Sequence, residues 1–243
     1  MSGHSKWATT KRHKAVIDAK RSSAFTKLAN NITVAARQGG DPEMNFSLRL
    51  AIDRAKTVNM PKDNIERAIK RGTGEGGGAA VEELTYEGFG PAQSAFIIET
   101  VTDNKNRTAS DIRQIFTKHG GSMGGSGSVA WNFEHRGVVG IENEELRIKN
   151  LKNDEFELAL IDVGVTDIVK EDEGWTLYTA LEDFQKLKEF LDEKTITVTS
   201  AGLEYIPKVT KAMTDDAREK IELFIEALDD NDDVNSYYTD VTV

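Results

Sequence analysis

A serine among glycines is the first feature with chemical potential. Gly120-Gly121-Ser122-Met123-Gly124 matches G-x-S-x-G. That pattern exposes a nucleophilic hydroxyl when a strand precedes it and a helix follows. Here the order is reversed, with a helical pattern before and a strand-like run after. His119 is adjacent in sequence, which does not make it a base for Ser122. Residues 120–128 hold five glycines in nine positions. A loop of this kind can lie close to a ligand's backbone, with Gly120, Gly121, Gly124 and Gly127 as its candidate residues.

The other catalytic signatures are weaker. Gly72, Gly74 and Gly77 fit G-x-G-x-x-G, but a dinucleotide site needs a strand before the motif, and a helix precedes it here. The acids at 229–233 lack the glycine and terminal glutamate of an EF-hand and read as a solvated turn. There is no Walker A sequence, no H-E-x-x-H and no cysteine, and the four histidines show no ligand spacing. No metal, cofactor or catalytic group is expected, and the chain does not read as an enzyme.

Charge is more informative. Residues 1–72 hold 15 Lys and Arg against 6 Asp and Glu, net +9, whereas the remaining residues hold 16 against 35, net −19. Within the first 27 residues Lys6, Lys11, Arg12, Lys14, Lys20, Arg21 and Lys27 face one acid, Asp18, and Trp7 lies among them. Cations neutralise phosphates and an aromatic face stacks on a base. A polyanion partner at one end is therefore expected, with the acidic remainder confining contact to that end and shielding it when no partner is present.

The elements that would position these cations follow from periodicity. Phe25, Leu28, Ala29 and Ile32 predict a helix over 23–37. Gly39-Gly40 ends it, and Asp41-Pro42 reads as the start of a second helix with Leu48, Ala51, Ile52 and Ala55 inward. Ile65, Ala68 and Ile69 define a third, with Glu66 spaced to pair with Lys70. The polar faces carry Arg37, Arg49, Arg54, Lys56, Lys62, Arg67, Lys70 and Arg71. Of these, Lys70 and Arg71 join the arm as candidate nucleic-acid contacts.

A glycine linker at 73–80 leads to strands at Leu84–Tyr86 and Ala95–Val101 around a Gly88–Pro91 turn. A helix is expected from Thr108, as its cap, to Lys118, then a strand at Val129–Phe133. Residues 135–206 read as βαββαβ, the ferredoxin-like order. A helix after Pro207 and a strand at Ser236–Val241 complete the chain. That strand can edge either sheet, and the completeness of the 135–206 module favours its return to the first. The expected fold class is α+β: a helical domain at 1–72, a discontinuous α/β domain at 81–134 plus 207–243, and the ferredoxin-like domain inserted at 135–206.

No apolar run approaches the roughly 18 residues of a membrane span, and the absence of cysteine suits a reducing cytoplasm. The basic, Ser/Thr-rich start also fits a mitochondrial presequence.

Specific residue strings then carry a resemblance. Gly3-His4-Ser5-Lys6-Trp7, Lys11-Arg12-His13-Lys14 and Asp18-Ala19-Lys20-Arg21 open the chain. Asn59-Met60-Pro61-Lys62-Asp63-Asn64-Ile65 and Tyr86-Glu87-Gly88-Phe89-Gly90-Pro91 follow. Thr102-Asp103-Asn104-Lys105-Asn106-Arg107-Thr108 and Gly127-Ser128-Val129-Ala130-Trp131 come later. In these the chain resembles the YebC/PmpR family over essentially its whole length. It departs at Arg21-Ser22-Ser23-Ala24, which loses a cation, and at Gly124-Gly125-Ser126, where an acid is usual. A motif beginning so near residue 1 counts against the presequence. The resemblance implies a three-domain, non-enzymatic, cytoplasmic nucleic-acid-binding protein. Members are described as DNA-binding transcriptional regulators, the first expectation here. Others are described as ribosome-associated translation factors acting on stalled, proline-rich synthesis, including a mitochondrial translational activator. A serine hydrolase on Ser122 is the third reading.

Overall fold

The protein's computed structural model describes residues 21–75, 81–151 and 154–242. Three helices come first: α1 (Arg21–Ala36), α2 (Phe46–Thr57) and α3 (Lys62–Thr73). Leu28, Ile32 and Ala36 of α1 meet Leu48, Ile52 and Ala55 of α2 and Ile65 and Ala68 of α3 in one buried cluster. The crossing of α1 and α3 is close. The buried Thr33 hydroxyl lies 2.8 Å from the Ala29 carbonyl and 3.2 Å from that of Ala68. Gly72, the first glycine of the G-x-G-x-x-G match, belongs to this crossing and not to a linker. A Cβ there would collide with the Thr33 carbonyl oxygen and lie 2.7 Å from the Ala36 Cβ.

The second helix starts later than Asp41-Pro42. Asn45 is its cap, accepting from the Leu48 amide at 3.1 Å and donating to the Ala35 and Gly39 carbonyls, both at 2.8 Å. One buried amide thus serves the end of α1 and the start of α2, which sets the frame of the helix.

β1 (Glu82–Phe89) and β2 (Ala95–Thr102) form an antiparallel hairpin, Phe89 facing Ala95. Then come α4 (Lys105–Lys118), β3 (Ser122–Met123) and a 3-10 turn at Ala130–Asn132. The expected strand at Val129–Phe133 is therefore corrected, and its physical cause is given with the glycine loop below. Thr108 does not cap α4. Asn104 does, accepting from the Arg107 amide at 3.1 Å, while Thr108 is buried in the first turns.

The second unit follows: β4 (Phe133–Glu142), α5 (Asn143–Ile148), α6 (Asp154–Asp162), β5 (Val165–Lys170), β6 (Gly174–Thr179), α7 (Phe184–Glu193) and β7 (Ser200–Pro207). Its sheet order is β5-β6-β4-β7, with β4 and β5 both antiparallel to β6, the ferredoxin-like order. Leu146, Phe156, Leu160, Trp175, Leu177, Leu187 and Leu191 are buried in it. The short helix α5 has no counterpart in the periodicity reading.

The chain ends with α8 (Asp215–Asp229) and β8 (Val234–Thr239). β8 pairs antiparallel with β2, Ile97 facing Tyr238, giving the order β3-β1-β2-β8. The core of this sheet is Phe96, Ile98, Ile112, Phe116, Ile221, Phe224, Ile225 and Leu228. Each large apolar side chain contributes roughly 2 kcal/mol on burial. Compactness divides the chain into residues 135–206 and a first unit comprising the segments before and after them. The fold is α+β.

Candidate nucleic-acid interface

Of the cations singled out by sequence, Lys6, Lys11, Arg12, Lys14 and Lys20 lie outside the described residues, as does Trp7. Arg21 opens α1. The other three occupy the bundle, in differing surroundings.

Of the three bundle helices, α3 carries the most cations. Asp63 in its first turn and Lys70 and Arg71 in its last both suit the helix dipole, and Gly74 in the left-handed conformation ends it. Ile65 and Ala68 turn inward, leaving Lys62, Arg67, Lys70 and Arg71 exposed. The pairing expected of Glu66 with Lys70 is not formed. Glu66 lies 3.4 Å from Lys62, and Arg67 donates to Asn64 at 3.0 Å. The Lys70 ammonium makes no ion pair among the described residues.

Lys27 and Arg71 are engaged with carboxylates outside the bundle. Lys27 reaches Asp229 at 3.5 Å, where α8 ends. Burial pushes the Lys27 pKa down, against the pull of Asp229, Asp232 and Asp230. Asn30 supports the contact by donating to the Asp232 carbonyl at 3.4 Å. Arg71 lies 4.0 Å from Asp103. Arg37, at the end of α1, pairs with Glu83 at 2.5 Å and donates to the Val81 carbonyl. The structure thus groups Lys70 with Arg71 on one helix end and sets Lys27 apart, against the acidic turn.

The acidic turn is not wholly solvated as its composition suggests, because Asp233 is engaged. It accepts from Arg107 through both oxygens at 3.1 Å and from the Thr108 hydroxyl at 2.7 Å. The hydrogen bond and charge of Asp233, helped by Asp103, push the Arg107 pKa up. The residues Thr102 to Thr108, a motif by resemblance only, therefore tie the start of α4 to the start of β8.

The glycine loop is held from beneath by an acid that sequence reasoning missed. Glu87 on β1 is 8% exposed. Its carboxylate accepts from the amides of Gly127 at 2.7 Å and of Val129 and Ala130 at 2.8 Å. Burial raises the Glu87 pKa, but these three donors outweigh it and leave it below the ordinary value. With the Val129 and Ala130 amides committed to Glu87, that segment cannot enter a strand ladder, so it turns as a 3-10 helix. Gly121 is fixed by packing, since a Cβ there would strike the Phe89 carbonyl. Gly120 and Gly127 hold positive φ, whereas Gly125 lies in open space. Gly124 donates to the Glu87 carbonyl at 2.8 Å. Glu87 has no clear signal in the sequence, since β1 also carries Glu82 and Glu83. Only the tertiary register brings it to the glycine loop.

Ser122 is exposed in β3, opposite Phe89. The buried Nε2 of His119 has no hydrogen-bond partner among the described residues, so it is not bonded to Ser122. No group of described acids or histidines could hold a metal ion, and no described helix is long and apolar enough to cross a membrane.

Comparison with known proteins decides the family. The TACO1/YebC N-terminal domain matches residues 5–75, and the TACO1/YebC second and third domain matches residues 81–241. The chain belongs to the TACO1/YebC family. One relative, a probable transcriptional regulatory protein of Thermoanaerobacter pseudethanolicus, is 45% identical over 100% of this chain and 98% of its own. Another of the same description, from Pelodictyon phaeoclathratiforme, is 47% identical over 100% of this chain and 96% of its own. The crystal structure of a conserved hypothetical protein, Aq1575 from Aquifex aeolicus, superposes with a TM-score of 0.76. It is 37% identical and covers 93% of this chain and 91% of that one. The TACO1/YebC boundary between 75 and 81 falls between α3 and β1, where the cationic bundle meets the sheet domain.

Proposed function

We propose that this protein is a non-enzymatic regulator of gene expression that binds nucleic acid through its N-terminal arm and bundle, with promoter DNA as the first target. One observation carries the reading: a net charge of +9 in residues 1–72 against −19 in the rest, with Lys70 and Arg71 exposed on the closing turn of α3. Such a charge division gives phosphate contact at one end and repulsion elsewhere. The names of the relatives support the transcriptional level. Lys6, Lys11, Arg12, Lys14, Lys20 and Arg21 would contact phosphates, with Trp7 stacking against a base or sugar. The protein would act in the cytoplasm.

A second reading, ribosomal RNA bound by a translation factor, is favoured by the charge order along α3. Its first turns carry Asp63 and Glu66 beside Lys62, whereas its last turn carries cations alone, Lys70 and Arg71. A helix that reads bases commonly leads with its N-terminal residues, and acids there repel phosphates. Contact through the C-terminal turn follows the backbone, which suits a structured RNA as well as a duplex. Cross-linking in cells followed by sequencing of the bound nucleic acid tests both. Enrichment of promoter DNA supports the first reading and enrichment of ribosomal RNA the second. Recovery of neither sinks the nucleic-acid function.

A further inference from the structure

Among the described residues, three ion pairs join the helical bundle to the sheet domain of the first unit, and in each the bundle supplies the cation: Lys27 to Asp229, Arg37 to Glu83 and Arg71 to Asp103. Among the described residues, the main apolar clusters on the two sides are distinct. One buried cluster and its flanking residues run from Phe25 to Ile69, the other from Tyr86 to Val241, and they share no residue. Two of the pairs are open to solvent, with side-chain exposures of 36% and 50% for Arg37 and Glu83 and 39% and 44% for Arg71 and Asp103. Exposed pairs are individually weak and are screened by salt. The third is enclosed, at 16% and 7%. Without the Asp229 charge, the Lys27 ammonium would be buried beside no direct counter-ion.

We propose that this junction is an electrostatic latch. The carboxylates of Asp229, Glu83 and Asp103 occupy bundle cations that nucleic-acid phosphates would take, so binding a polyanion and releasing the bundle from the sheet domain are coupled. The identity of the competitor rests on the function proposed above. The docking rests on these ion pairs and on the hydrogen bonds of Asn30 to the Asp232 carbonyl and of Arg37 to the Val81 carbonyl. Apparent affinity is then reduced by the fraction of molecules still latched, and any change that weakens the latch tightens binding.

The chain has no cysteine, so two labels can be placed cleanly on full-length protein: Thr57→Cys on α2 and Glu222→Cys on α8, both exposed. Their separation is followed by energy transfer across a salt titration, and on addition of a mixed-sequence DNA duplex or a hairpin RNA. Affinity for both probes is measured for a Glu83→Gln/Asp103→Asn/Asp229→Asn variant. A control, Glu155→Gln/Asp162→Asn/Glu193→Gln, removes the same charge from exposed sites in the second unit.

The latch predicts that salt and bound probe both change the separation. It also predicts that the junction variant binds about tenfold more tightly than the control, a difference of about 1.4 kcal/mol. Equal affinity of the two variants, or a separation that salt does not move, overturns it. Should the junction variant fail to fold, the wild-type salt response still decides. If salt opens the junction but neither probe binds any form, the nucleic-acid function fails and the coupling with it. A probe that binds without moving the labels overturns the latch alone.

Discussion

Two polar surfaces of the first unit are held in opposite ways. The bundle reaches outward with cations to acids on the sheet domain, and two of the three such pairs among the described residues stand in solvent. The glycine loop is gripped from below by one buried carboxylate, that of Glu87, which spends its acceptors on three backbone amides. Both segments look mobile in composition, one for its charge and the other for its glycines. Their attachment is set by burial. An exposed ion pair exchanges readily with water and salt, whereas a buried carboxylate that loses its amides leaves several groups without partners. The bundle is thus built to be released and the loop to stay in place.

The largest expected effect strikes the cationic side. Reversing the charges of Lys11, Arg12 and Lys14 should weaken nucleic-acid binding on the order of a hundredfold and lower the salt slope by about 3. Fluorescence anisotropy across a salt series measures both, and an unchanged affinity removes the arm from the interface. On the loop side, Glu87→Ala should cost about 3 kcal/mol in chemical denaturation, because buried amides lose their acceptor.

Acid should release the same contact. Glu87 has a depressed pKa, so its stabilisation is present above the ordinary carboxyl value near about 4 and is lost as pH falls through the lower folded value. Amide exchange at Gly127, Val129 and Ala130 should rise there first, and exchange that rises uniformly across the domain would count against a local anchor. Gly72→Ala should cost about 2 kcal/mol by forcing α1 from α3, measured as a loss of thermal stability. Smallest of all, Ser122→Ala and Gly125→Ala should each stay within about 0.5 kcal/mol of wild type with nucleic-acid binding unchanged. A larger effect would mean that the loop has a contact of its own to make.

Much of the fold was legible because its helices and strands bury one face. The stripe of Leu28, Ile32, Leu48, Ile52, Ile65 and Ala68 is periodic in sequence and continuous in space. The βαββαβ order followed from alternating periods, and the family from ordered motifs. Helix starts were less legible. Asp41 and Thr108 are good caps by residue type, yet Asn45 and Asn104 serve: Asn45 also ties the end of α1, and the Thr108 hydroxyl is taken by Asp233. α5 is too short for a periodic signal.

The candidate site divides along the same line. Its charge asymmetry, its cations and its glycines are properties of the chain, fixed by residue type and order. Which cations are occupied is a property of distance. Lys27 and Asp229 are separated by 202 positions, and Glu87 meets its loop 40 to 43 residues on. The sequence alone determined that one end of this protein is basic, that three helices carry it and that the rest is acidic. The tertiary structure decided that Lys27, Arg37 and Arg71 face carboxylates while Lys70 does not, and that the glycine loop is anchored. The physical reason is that electrostatic and hydrogen-bond energies act over a few ångströms of space, and only packing sets those separations.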